Sequence, residues 1–193
     1  SLALTATIGM MFSGPLSDRM GRRPVLKIAA LLFAVSAIAS AVAPGFITLV
    51  IARMIGGFGV GAALVIAPMY IAEMAPPASR GRLVSFNQLN IVVGISAAFF
   101  SNYLILRLGE SPAAWAATLR LDDWNWRWML GIETLPAVLY YLALLFVPES
   151  QRWLAMQGRE DAAREVLSRV SSAGQADRAL REVKDSLEAE AGL

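Results

Sequence analysis

Two opposite charges stand inside apolar stretches of this chain. Arg53 lies six residues past Ile47, at the edge of its stretch, and Glu133 lies six residues past Arg127, at the edge of another. At about 1.5 Å of rise per helical residue, each charge sits about 9 Å in from its edge. A charge in hydrocarbon costs several kcal/mol on any scale and needs a partner or a water-filled cavity. Equal depth makes the two candidates for one another. Two other readings stay open: Arg53 can snorkel along its own stem to the surface, and Glu133 can be a near-interface residue.

A second group of polar residues shares one stretch. Asn87, Gln88, Asn90 and Asn102 interrupt an otherwise apolar segment. Gln88, Ile91, Ile95, Phe99 and Asn102 fall on one face by the i, i+3, i+4 rule. Amides that bond hydroxyls, beside aliphatic and aromatic surface, suit the two faces of a sugar ring. The competing reading is an interhelical hydrogen bond.

The third group is ionic. The segment Gly14-Pro-Leu-Ser-Asp18-Arg19-Met-Gly21-Arg22-Arg23-Pro24 holds an acid among bases between two glycines. As a plain basic anchor it would need no Asp18. A carboxylate at a helix end can instead pair with arginines of adjoining loops and hold two helix sets together reversibly. Glu73, Arg80, Glu149 and Arg152 are the other charges available for such pairs. Pro148, Glu149 and Ser150 suit a helix start with acid in the first turn.

These groups need long apolar helices to position them. The chain is 56% hydrophobic and 17% charged, where soluble domains carry roughly a quarter charged residues. Five apolar runs, at about 1–17, 25–43, 46–75, 83–106 and 127–147, have the length a hydrocarbon core asks of a helix, so the fold class is all-α: a polytopic transmembrane bundle. Gly57 and Gly61 form a small-xxx-small face for close helix contact, and Pro68 and Pro136 are tolerated inside a bundle. Basic connections alternate with neutral or balanced ones, which puts the loops after the first and third runs, and the C-terminal tail, in the cytoplasm. Trp124, Trp126 and Trp128 stand where the last run would enter from outside, as an aromatic belt does. Residues 1–148 are therefore expected to form the bundle, and 149–193 a cytoplasmic helical domain. There Ala163, Val166, Leu167 and Val170, then Leu180, Val183 and Leu187, repeat at amphipathic spacing on either side of a break at Ser172 to Gly174.

The absence of Cys and His excludes thiol nucleophiles, disulfides, and Cys- or His-type metal sites within the chain. No nucleophile–base set or phosphate-binding loop occurs, so an enzyme is not expected, nor a cofactor or metal. A net charge of +2 gives no reason to expect nucleic acid. The chain begins at Ser1 inside an apolar run, which reads as a span cut by a fragment boundary.

Taken together, these residues resemble the sugar porter family of the major facilitator transporters over nearly the whole chain. Asp18-Arg19-x-Gly21-Arg22-Arg23 is shared across that superfamily. Arg53-x-x-x-Gly57-x-Gly59, Pro68-x-Tyr70-x-x-Glu73, Arg80-Gly81 and Pro148-Glu149-Ser150-x-Arg152-Trp153-Leu154 are similar to sugar porter motifs. The stretch from Pro68 to Gly94 is similar to bacterial xylose–proton symporters and animal glucose facilitators. The resemblance implies twelve spans in two halves, of which this chain holds spans two to six, with span one and the second half outside it. It implies a monosaccharide substrate, sugar contact at Gln88 with Ile91 and Ile95 on the same face, and proton coupling through Arg53 and Glu133. In some proton-coupled members a second glutamine stands at the position of Ile95. Arg53 matches an arginine that faces a span-one carboxylate, which here would lie upstream of Ser1. A cytoplasmic gate is implied at Gly14, Asp18, Arg19, Gly21, Arg22, Arg23, Glu73, Arg80, Glu149 and Arg152. Gln151 replaces the family's usual proline, with little consequence expected. The function so implied is proton-coupled sugar symport by alternating access, with a facilitative sugar or polyol uniporter, or a transporter-like sugar sensor, as alternatives.

Overall fold

A computed structural model of the chain describes residues 2–76, 79–110, 119–121 and 123–170, and residues 180, 181, 183 and 185. Among them every regular element is helical: α1 (Leu2–Met20), α2 (Arg22–Ala41), α3 (Phe46–Met74), α4 (Arg80–Gly109), α5 (Asn125–Gly131), α6 (Thr134–Phe146), α7 (Gln151–Met156) and α8 (Glu160–Val170). Four stretches are long and apolar enough to cross a membrane: α2, α3, α4, and α5 with α6 taken as one. The first run also folds as a helix. It is not among those four, because its last turns carry Ser17, Asp18 and Arg19.

The helices outrun the apolar runs at their charged ends. Asp18 and Arg19 lie in the last turn of α1, and Arg22 and Arg23 open α2, so the connection between them is Gly21 alone. The fourth run, expected at 83–106, extends to Arg80 and Gly109, with Arg107 in its last turn beside Tyr103 and Glu110. Long cationic stems let a helix continue into the interface beyond its apolar stretch.

The last run, expected as one span over 127–147, is broken at Ile132 and Glu133. Pro136 has no N–H to give the Ile132 carbonyl four residues back. That carbonyl accepts instead from the Leu135 N–H at 3.1 Å, and the tightened turn divides α5 from α6. Pro68 produces no such break, and α3 runs through it.

α3 is the central helix, packed closely against α1 on one side and α2 on the other. Its glycines make this possible. A Cβ on Gly57 or Gly61 would strike α1 at Thr5 or Ala6, and one on Gly59 would lie 2.6 Å from the Ala29 carbonyl of α2. Gly56 faces Ser36 of α2 in the same way. Residues 56, 57, 59 and 61 thus serve two neighbours alternately, beyond the single face expected from Gly57 and Gly61. Gly9 of α1 completes the approach, its absent Cβ lying 2.8 Å from the Phe58 carbonyl. α2 packs in turn on α5 and α6, and Val25, Leu26, Ala30, Ile66 and Leu144 form a buried cluster among these helices. α4 touches α3 and α5 only lightly, and none of its residues is buried.

α7 and α8 close on each other around Leu154, Ala163, Val166, Leu167 and Leu180, with Met74 and Trp153 against them. Ala163, Val166 and Leu167 are the apolar positions that the spacing assigned to this face. The expected break at Ser172 to Gly174 lies outside the described residues.

Candidate functional site

The charged residues of the first turn, the third span and the segment after α6 meet at one end of the bundle. Arg22 is at their centre. Its residue is 4% exposed, and its Nη2 donates to Glu73 Oε1 at 3.0 Å. Its Nε reaches both Glu73 oxygens at 3.2 and 3.1 Å. Its Nη1 donates to the Ser17 carbonyl at 3.1 Å and pairs with Asp18 at 3.0 Å. A planar guanidinium spreads five donors over three nitrogens and so answers two carboxylates and a carbonyl from different sides, where an ammonium has three donors on one nitrogen. Ser150 Oγ donates to the Glu73 carboxylate, and the same oxygen caps α7 by accepting from the Trp153 N–H at 3.3 Å.

Glu149 works on a different helix from the one it precedes. Its carboxylate accepts from the backbone N–H of Arg22 at 3.0 Å, of Arg23 at 3.1 and 3.3 Å, and of Ser150 at 2.8 Å. It therefore caps α2, where Pro24, third in that helix, has no N–H to satisfy. Orphan donors and the positive end of the helix dipole both favour a carboxylate there. Gly21 is required at this point. Its φ is +98°, and a Cβ would lie 2.5 Å from Glu149 Oε2.

Arg23 returns the exchange. Its Nε and Nη2 donate to the carbonyls of Leu144 and Leu145 at 3.0 and 2.6 Å, capping the C-terminal end of α6. One helix end receives an anion from the far segment, and the other receives a cation from the near one. Three further bonds tie the same segments together: Tyr70 Oη to the Pro148 carbonyl at 2.7 Å, Gln151 Nε2 to the Glu73 carbonyl at 2.8 Å, and Trp153 Nε1 to the Asp18 carbonyl at 2.9 Å.

Not every expected gate residue joins this lattice. Arg19 and Arg80 are exposed and in no ion pair among the described residues. Among the described residues a Cβ on Gly14 would meet nothing within 4 Å, so none of them approaches this glycine closely. Arg152 makes an interaction of its own. Sequence reasoning missed Ser150 and Gln151 as members. Gln151 was expected to matter little in place of proline, yet its amide makes a bond that proline has no group to make. The type of residue was the available signal: two side-chain donors follow directly on the acid.

At the opposite end, Arg53 Nη1 lies 2.8 Å from Glu133 Oε2, both side chains about 30% exposed. The pairing argued from equal depth is therefore present. The break at residues 132 and 133 sits at this pair. Nearby, Arg127 donates to the carbonyls of Ala41 and Ala43 at 3.4 and 3.1 Å and lies over the rings of Trp124 and Trp126.

α4 presents the amide-bearing face outward from the rest of the chain. Gln88 and Ile95 are exposed and Ile91 is half-buried. Ile91 and Asn87 line an apolar cleft of about 310 Å³ between α2, α3, α4 and α6, and Gln88 and Ile95 do not line it. The candidate sugar-contact residues thus share the helix face expected of them without converging on one described cavity. No group of three or more potential metal-ligating side chains occurs among the described residues.

A family model for "Sugar (and other) transporter" matches residues 1–192. The chain belongs to that family. It is 43% identical over 98% of its length to an arabinose-proton symporter of Bacillus subtilis, and 39% identical over 97% to a D-xylose-proton symporter of Escherichia coli. It spans 39% and 40% of those two relatives. Among solved structures, the E. coli xylose transporter in a partially occluded inward-open conformation is similar with a TM-score of 0.88, at 38% identity, over 99% of this chain and 47% of that one. The same transporter bound to 6-bromo-6-deoxy-D-glucose gives a TM-score of 0.87 over 97% of this chain and 42% of that one. The sugar transporter family and the apolar helices make this a multi-pass membrane protein of the major facilitator fold, and its relatives are transporters, not enzymes.

Proposed function

We propose that the chain is part of a secondary transporter that moves a monosaccharide across the cytoplasmic membrane by alternating access, coupled to protons. The observation that carries this reading is the buried lattice around Arg22. It joins α1, α2, α3 and the segment after α6 through one connected set of bonds, which would have to form and separate together if it closes a gate between two global states. In this reading the lattice is the cytoplasmic gate, with Asp18, Gly21, Arg22, Arg23, Glu73 and Glu149 at its centre and Gly14, Arg19, Arg80 and Arg152 around it. Residues 149–193 form a cytoplasmic domain beneath the bundle of residues 1–148, and the basic connections face the cytoplasm.

Gln88, Ile91 and Ile95 contact the sugar from the open face of α4. Arg53 and Glu133 carry the proton coupling, together with an acid from another segment. Support for sugar and proton comes from the arabinose- and xylose-proton symporters to which the chain is similar. The test is uptake by the full-length protein in proteoliposomes with external pH recorded. Sugar-driven external alkalinisation is expected. Uptake with no pH change would reject symport in favour of a facilitator, and no uptake of any pentose, hexose or polyol would reject transport.

A further inference from the structure

A cleft of about 480 Å³ opens where the bundle meets the helices that follow it. Three cations line it: Arg23 and Lys27 from the first turns of α2, and Arg159 from the turn before α8. None of the three has a carboxylate within ion-pair distance among the described residues. The cleft has two acids, and both are engaged. Glu149 is held by three backbone N–H groups, and Glu165 has an interaction of its own. The rest of the wall is apolar, with Met20, Trp153, Leu154 and Val166 prominent.

Lys27 also begins an apolar stripe. Leu31, Val35, Ile38 and Val42 follow it at intervals of three and four residues, so they share its face of α2. All four are exposed, from 46% to 66%. A cationic pocket at one end of an exposed apolar stripe has the two-part chemistry of an anionic phospholipid: phosphate among the cations, acyl chain along the helix. A soluble phosphate would use the pocket alone.

We infer that this cleft binds the headgroup of an anionic phospholipid, its phosphate held by Lys27 and Arg159 beside Arg23, whose Nε and Nη2 stay on the Leu144 and Leu145 carbonyls, and its acyl chain lying along Leu31, Val35 and Ile38. The site is distinct from the proposed sugar face on α4. It lies against the proposed gate, because Arg23 and Glu149 belong to both, so an occupied cleft would favour the state in which the gate is closed.

The experiment is native mass spectrometry of the full-length protein with dioleoyl phosphatidylglycerol and dioleoyl phosphatidylcholine. Phosphatidylglycerol is expected to be retained preferentially. The pair Lys27→Gln and Arg159→Gln is expected to cut that preference about tenfold or more, since each cation near an anionic lipid is worth about fivefold. Arg82→Gln, a charge removed outside the cleft, should leave it intact. Millimolar inorganic phosphate should not displace the lipid. Equal retention of phosphatidylglycerol by variant and parent overturns the site, and displacement by inorganic phosphate overturns the lipid as its occupant. If the double variant does not fold, Arg159→Gln alone at its exposed position decides, with about a fivefold loss expected.

Discussion

Arg22 and Glu73, paired at 3.0 Å, are the residues on which the proposed gate would turn. Removing one member of a buried ion pair leaves an uncompensated charge and costs about 3–5 kcal/mol. Arg22→Ala strands Glu73 with only the Ser150 hydroxyl in place of the fork. In the full-length transporter this variant should exchange sugar more slowly across vesicles while equilibrium sugar affinity holds, and unchanged uptake rates would remove the gate. Arg22→Lys should fail to restore the rate, because one ammonium nitrogen does not reproduce the Nε/Nη2 fork on Glu73 together with the Nη1 contacts to Asp18 and Ser17. Gln88→Ala is the converse test. Losing amide bonds to a bound hydroxyl costs about 1–2 kcal/mol, so affinity measured by calorimetry should fall about tenfold with little change in fold. The charged types at these positions were legible from sequence, and so was the Arg53–Glu133 pair, because depth along a helix can be counted. Which acid meets which base was not. Glu149 was available to several arginines, and only the crossing of α2 against the segment after α6 sends it to backbone N–H groups instead of a side chain.

Among the helices, α3 shows why the bundle has its spacing. Gly61 lets α1 approach until no room remains for a methyl group, and small residues drive association where lipid supplies no hydrophobic force. Gly61→Val should therefore push α1 and α3 apart and lower the apparent melting temperature of the purified protein by several degrees, roughly 2–4 °C per kcal/mol lost for a unit of this size. Gly14→Ala, with open space around it, should leave the melting curve unchanged, and an equal loss in both would refute the packing argument. The apolar runs announced these helices but underestimated their ends, since arginine stems extend α4 past its apolar stretch. They also concealed the break between α5 and α6. Pro136 was the signal for it, legible only when the carbonyl four residues earlier is asked for its donor.

Among the described residues, a polar lattice stands at one end of the bundle and an interhelical ion pair, Arg53–Glu133, toward the other. Glu133→Gln leaves Arg53 without its counter-charge in the described chain. It should abolish sugar-driven alkalinisation in proteoliposomes while leaving counterflow of sugar measurable, and retained alkalinisation would take Glu133 out of the coupling. The reciprocal caps have a consequence for how this protein is made. The N-terminal end of α2 is completed by Glu149, separated from Arg22 by 127 positions. While the ribosome is still upstream of Pro148, α2 sits in the membrane with its first-turn donors answered only by water or headgroups. The junction of α1 and α2 should stay cleavable by protease in nascent chains whose emerged part stops at residue 146, and become resistant once residue 157 has cleared the exit tunnel.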